Sequence, residues 1–314
     1  MDTKPFDVII AGAGAGGIAA AIFCRMRDLN ILLIEQKQGG GQMISVYPSK
    51  PVKDYPAFSE IPARELAMNM LRQVKSMGVE VHSNEKLDDI KRNGELFTVA
   101  TSLGKYQTKS VILAMGAGVF TPRLLGVIGE NDFQGKGILY GIPSIKEARE
   151  RKVVCGGGGN SSLEAAITIA DFAEKVTLVH RGSQFEAYEF YIDAVKNSPI
   201  NIKFNTEVKE ILGCEHVEQV ILCDRTNKSY EKIESDMVVI NIGMVPNFTK
   251  IKKWGIQVDK NGICVDREMK TSVEGIFACG DIVSYPEKLK LLITASGEGS
   301  IAAESVFRYI KEKS

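Results

Sequence analysis

"VIIAGAGAGG" occupies residues 8–17, and "VVCGGGGNSS" occupies residues 153–162. Each is an apolar, β-branched run broken at once by glycines, the pattern of a strand turning sharply into a helix. In the first, Gly12, Gly14 and Gly17 fit G-x-G-x-x-G. The first glycine permits the tight turn, the second lets backbone approach a pyrophosphate, and the third lets helix and strand pack closely. In the second stretch, Gly157, Gly159 and Ser162 take those places, with a small serine for the third glycine.

Outward from these two loops the chain is written twice. The first copy predicts a strand over 5–11, a helix over 15–28, a strand over 30–35 and a helix over 62–77 that opens at Pro62 and stops at Gly78. "VEVHS", a meander turning at Asn93-Gly94 and "SVILAMG" (110–116) follow. The second copy predicts a strand "KVVC", a helix over 161–173, a strand over 175–181 and a helix over 185–196. "INIKFNT", a polar meander around 208–234 and "MVVINIG" (237–243) complete it. Residues 244–314 are too short for a third copy and return to complete the first. The expected fold is α/β, with two doubly wound dinucleotide-binding domains, each a three-layer sandwich carrying an antiparallel meander. The expected boundaries are 1–118 and 244–314 for one domain and 119–243 for the other.

Bulk properties narrow the function. The formal net charge is zero, so no overall field draws the chain toward nucleic acid or a membrane. Residues 8–23 carry no charge, but Asp2 and Asp7 are wrong for the basic start of a signal peptide. The six cysteines form no C-x-x-C, and the pattern suits a reducing cytosol. Cys214, His216 and Cys223 lie close in sequence without an evident fourth ligand, so no metal is expected.

Two glycine loops imply two dinucleotides. Glu35 ends the strand after the first loop, where an acid takes a ribose hydroxyl pair. After the second loop the corresponding strand ends in His180-Arg181, and an arginine there can pair a 2′-phosphate bidentately. One resident and one visiting dinucleotide, FAD with NADPH and/or NADH, is the economical pairing. The flavin then carries the redox chemistry and no acid–base side chain is demanded.

"GAGAGG…IE", "ILAMG" (112–116), "GGGNSSLEAA" (157–166), "VTLVHR" (176–181), "INIGMVPN" (240–247) and "TSVEGIFACGD" (271–281) resemble the thioredoxin reductase group of two-dinucleotide-binding-domain flavoproteins. That resemblance implies an FAD contact at Asp281, with others at Ala15, Leu87, Gly116, Phe120 and Thr294. It implies NAD(P) contacts at Asn160, Ser161 and Gly243. The helix after "LLITAS" is expected to aim its N-terminus at the flavin. The group carries its redox cysteine pair where this chain reads "LYGIPS" (139–144), with Gly141 and Ser144 in the cysteine places. No dithiol relay is possible there.

The chain is more similar to the cysteine-less branch, the ferredoxin–NAD(P)+ reductases of the thioredoxin reductase type. "GGQMISVYPSK" (40–50), "GAGVFTPR" (116–123), "IKKWG" (251–255) and "GDIVSYPEKLKLL" (280–292) carry this. It implies that Gln42 and Tyr47 meet the flavin and that the protein is a homodimer. It also implies a small acidic electron carrier, ferredoxin or flavodoxin, as partner. Lys250, Lys252 and Lys253 with Lys288 and Lys290 are the expected basic docking patch. Two departures matter. Branch members carry a C-terminal tail over the flavin, whereas this sequence ends at Ser314, which leaves NAD(P)H oxidase or reductase activity on quinone, oxygen or iron chelates as an alternative. A redox-sensing flavoprotein is a third reading. NADPH-specific relatives read H-R-R-x-x-x-R-A, whereas this chain reads "HRGSQFEA" (180–187), with Gly182 and Glu186 at the other two arginines. Either nicotinamide cofactor therefore remains open.

Overall fold

A computed structural model describes residues 4–48, 50–116 and 120–313. They form two compact units, residues 1–121 with 246–314 and residues 122–245.

The first unit is built on the strand Phe6–Ala11. It lies between Ile31–Glu35 and Lys105–Leu113, all parallel, with Val81–Ser83 at one edge. Ile276–Ala278 pairs in parallel with the second half of Lys105–Leu113. The first half of that long strand pairs antiparallel with Leu96–Thr101, which turns back to Leu87–Asn93. The strand FDVIIA is apolar on both sides because both faces are covered. Val8 and Ile10 face a core shared with the helices Ala15–Met26, Ala63–Ser76 and Leu292–Lys313. Ile9 and Ala11 face a second core with Leu87, Phe97, Val99, Phe248 and Ile251. Each of the larger side chains, Ile9 or Phe97 for example, contributes roughly 1.5–3 kcal/mol on burial.

The second unit repeats the plan. Lys152–Gly156 lies between Lys175–Val179 and Met237–Ile240, with Asn201–Lys203 and Ile138–Tyr140 at the edges, all parallel. Val153 and Cys155 pack toward the helix side; Val154 packs toward the antiparallel meander Thr206–Gly213, Val217–Asp224 and Tyr230–Glu234. The fifth parallel strand differs in origin. It comes from late in the chain in the first unit and from before the glycine loop in the second. In both sheets the glycine loop leaves the central strand where the strand order reverses, the point at which open α/β sheets bind ligands.

Three of the shifts in expected bounds lie beside the second glycine loop. The helix expected over 161–173 spans Asn160–Ile169. The strand expected over 175–181 stops at Val179, so His180 and Arg181 begin a loop. The helix expected from 185 begins at Glu189, because residues 182–188 are tied to the glycine loop instead. The Glu186 N–H donates to the Gly158 carbonyl at 2.9 Å, and the Tyr188 N–H donates to Asn160 Oδ1 at 2.8 Å. No described helix is long and apolar enough to cross a membrane.

Candidate functional site

In the first unit the turn at Gly12 has φ +109°, and a Cβ there would overlap the Ala114 carbonyl. Only glycine satisfies both. Gly14 is different. A Cβ there would meet nothing nearer than Gly41 Cα at 3.8 Å. Protein packing does not require glycine at 14, and the backbone there is open to close approach by a ligand. Gly14 is also the N-cap of Ala15–Met26, whose first turn carries no acid. Its leading amides suit a phosphate.

Glu35 is 9% exposed and held from both sides. Oε2 accepts from the Ala13 N–H at 2.9 Å and Oε1 from the Lys37 N–H at 3.0 Å. Each oxygen keeps a lone pair for a ribose hydroxyl. Glu35 lines a pocket of about 320 Å³ with Gly12, Leu87, Met115, Lys250 and Trp254. Trp254, which sequence reading did not single out as a site residue, is fixed by its Nε1–H donating to Asp89 Oδ1 at 3.0 Å. Its one signal was its place in "IKKWG".

Gln42 and Asp281 meet: Nε2 of the first donates to Oδ2 of the second at 3.0 Å. Tyr47 is half-buried against the core, with the Lys50 ammonium 5.2 Å from its ring centre. Thr294 lies in the first turn of Leu292–Lys313; this helix starts within "LLITAS" and not after it. Gly116 adopts φ +52°. The side chain of Phe120 lies outside the described residues.

Beneath the Asp281 turn sits a buried ion pair missed in the sequence. Glu298 Oε2 accepts from the Gly280 N–H at 2.7 Å, while Oε1 accepts from Tyr285 at 2.6 Å and from Lys288. The Lys288 and Glu298 side chains are only 7% and 4% exposed. Lys288 therefore cannot belong to a docking patch. Its four-carbon stem is buried and its charge is spent on Glu298. Lys252 and Lys253 are exposed, whereas Lys250 reaches Asp88 at 3.4 Å.

In the second unit Gly157 has φ +135°. Ser162, at the third-glycine position, donates its hydroxyl to the Asn241 carbonyl at 2.8 Å and so ties the helix start to the neighbouring strand end. Gly159 caps Asn160–Ile169, and Ser161 is exposed in its first turn. Gly243 has φ +107° with open space where a Cβ would be. The His180 ring is 8% exposed and fills the room left by Gly158 and Gly182. Among the described residues its Nε2 finds no hydrogen-bond partner. An orphaned buried nitrogen beside a glycine-rich helix start fits a bound dinucleotide. Arg181 is exposed, and its carbonyl accepts from Arg225 Nη1 at 2.9 Å.

The segment where cysteines were absent is built for another task. Asn241 clamps Gly141 twice: Oδ1 accepts from its N–H at 3.1 Å and Nδ2 donates to its carbonyl at 2.8 Å. Ser144 forms a reciprocal capping box with Glu147. Elsewhere burial pushes the Cys24 and Cys155 thiols up to about 12 and raises Cys279 further. Such thiols are not nucleophiles. Among the described residues no group of three His, Cys, Asp or Glu is placed to hold a metal.

Residues 6–299 match the family model described as pyridine nucleotide-disulphide oxidoreductase. A ferredoxin–NADP reductase of Thermus thermophilus is 34% identical over 96% of this chain and 92% of its own length. Ferredoxin–NADP reductase 2 of Oceanobacillus iheyensis is 32% identical over 100% and 96%. Among solved structures, the T. acidophilum thioredoxin reductase superposes with a TM-score of 0.90 at 30% identity, covering 99% of this chain and 100% of that one.

Proposed function

This chain belongs to the pyridine nucleotide-disulphide oxidoreductase family, and from that premise we propose that it is a flavin oxidoreductase of the ferredoxin–NAD(P)+ reductase kind. It moves electrons between NAD(P)H and a small acidic one-electron carrier such as ferredoxin or flavodoxin, and works as a homodimer. Residues 1–121 with 246–314 hold FAD, and residues 122–245 take the nicotinamide dinucleotide.

Bound FAD supplies the conversion of a hydride into single electrons. The side chains bind and orient. Glu35, locked by Ala13 and Lys37, would accept from the adenosine ribose. The amides that open Ala15–Met26, beyond Gly14, would hold the diphosphate. Gln42 and Asp281, bonded to each other, hold the ribityl and ring end. Gly157, Gly159 and the N-terminus of Asn160–Ile169 receive the second diphosphate, with His180 and Arg181 at its adenosine end.

The observation that carries this over disulfide reduction is the clamped Gly141–Ser144 loop, which has hydrogen-bond work and no sulfur. An acceptor panel tests it. With NADPH and NADH in parallel, ferredoxin should be reduced faster than quinone, oxygen or ferric chelates. Faster turnover with oxygen or quinone than with any ferredoxin would replace the carrier reading with a small-acceptor reductase.

A further inference from the structure

The loop that follows Val179 carries one matched arginine, Arg181, where NADPH-specific relatives carry three. At the first of the two missing positions, Gly182, the His180 ring occupies the space a side chain would need. A Cβ there would stand 2.7 Å from His180 Nε2, so a side chain requires the buried ring to shift. Glu186 adds an exposed negative charge on the same loop.

A second guanidinium nonetheless reaches this loop from elsewhere in the unit. Arg225 sits in the turn between Val217–Asp224 and Tyr230–Glu234, some forty residues on in sequence. Asp224 Oδ1 shapes that turn by accepting from the Thr226 N–H at 2.7 Å. The Arg225 N–H donates to the Asn205 carbonyl at 2.6 Å, and the Asn205 N–H donates to the Gly182 carbonyl at 2.9 Å. The Arg225 side chain then donates Nη1 to the Arg181 carbonyl at 2.9 Å. Among the described residues its one ion pair is long: Nε stands 3.7 Å from Glu207, which is shared with Lys209 at 2.7 Å. The side chain is 48% exposed, so donors remain free for an anion.

We propose that Arg225 is the second cation of a 2′-phosphate subsite on this chain, formed with Arg181 at the loop that begins with His180. It substitutes from the meander for the arginines missing at 182 and 186, and makes the protein prefer 2′-phosphorylated dinucleotide. The inference rests on the reading of residues 122–245 as the nicotinamide-dinucleotide unit. It differs from that reading in assigning the phosphate to a residue outside the glycine loop and its strand end.

The test is calorimetric binding of 2′,5′-ADP and of 5′-ADP to the FAD-loaded protein, whose other adenosine site is filled. Arg225→Gln removes the charge and keeps a polar but shorter side chain, and the 5′-ADP arm reads out any loss of the bond to the Arg181 carbonyl. It should weaken 2′,5′-ADP about tenfold or more, as for a lost charged hydrogen bond, and leave 5′-ADP unchanged. The loss should shrink as salt rises. Arg181→Ala is the companion variant. If Arg225→Gln leaves the ratio of the two affinities at the wild-type value while Arg181→Ala collapses it, Arg225 has no part in the subsite and the unit assignment stands. If Arg225→Gln weakens both nucleotides equally, its role is only to hold the loop, and the proposal is overturned. If neither variant changes the ratio, the strand end does not hold the adenosine ribose, and proposal and unit assignment fall together.

Discussion

Gln42 and Asp281 lie 239 residues apart in sequence, yet the amide of the first donates to the carboxylate of the second at 3.0 Å. Gln42 opens the short helix Gln42–Ser45, and Asp281 sits in the 3-10 turn Gly280–Ile282. The bond brings together two residues that the sequence alone offers only as separate motifs. Asp281→Ala removes the charged acceptor and leaves the Gln42 amide unpaired. FAD affinity should fall about tenfold to a hundredfold, the worth of a charged hydrogen bond. Gln42→Ala should cost less. Flavin-to-protein absorbance after gel filtration measures both, and full flavin occupancy in Asp281→Ala would remove this pair from the flavin site.

Two glycines of one motif should behave oppositely. At Gly14 a Cβ would meet only Gly41 Cα, at an ordinary 3.8 Å, so Gly14→Val should keep its fold and melting temperature without flavin, yet lose FAD. At Gly17 a Cβ would overlap the Gly12 carbonyl, so Gly17→Ala should lower stability even in the flavin-free protein. Thermal unfolding of both apoproteins separates the cases. A Gly14→Val variant that stays yellow would contradict the placement of the diphosphate.

Lys288 and Glu298 form a buried pair, and removing one partner strands the other charge. Lys288→Met should lower stability by about 3–5 kcal/mol in urea unfolding. Lys288→Met with Glu298→Gln should recover part of that loss, because no unpaired charge remains. Additive losses in the double variant would show that the two act independently.

Stability should also fall at high pH. The Cys24 and Cys155 thiols ionise near 9 in the unfolded chain but are held at about 12 by burial in the fold. Between those values the folded state binds more protons than the unfolded state, so stability drops as pH rises through the window. Below pH 9 both states keep the proton and no effect is expected. Urea midpoints from pH 8 to 11 should show the slope, and Cys24→Ser with Cys155→Ser should reduce it, the raised Cys279 thiol keeping the remainder.

Much of this was legible in the sequence because it is periodic or local. Strand runs such as FDVIIA and KVVCG, and glycines that must turn or approach closely, announce themselves. Glu35 is found by its distance from Gly12. The loop after His180 was misread as helix from 185 because its structure depends on two contacts, Glu186 to Gly158 and Tyr188 to Asn160, that no local pattern encodes. Lysine is usually solvated, so Lys288 looked like surface; only the fold puts Glu298 beside it. Arg225 was invisible for the same reason. Its partners, Arg181 and Asn205, lie in other segments.

The central claim is electron transfer between a nicotinamide and a one-electron carrier through flavin, with no thiol on the route. The most direct measurement is NADPH-driven ferredoxin reduction by the FAD-loaded variant carrying Cys155→Ser and Cys279→Ser, followed beside disulfide reduction of thioredoxin. The account predicts ferredoxin reduction within about twofold of wild type, since neither buried thiol ionises near neutral pH, and no disulfide reduction by either protein. Loss of ferredoxin reduction with fold and flavin intact, or thioredoxin reduction by the wild type, would contradict it.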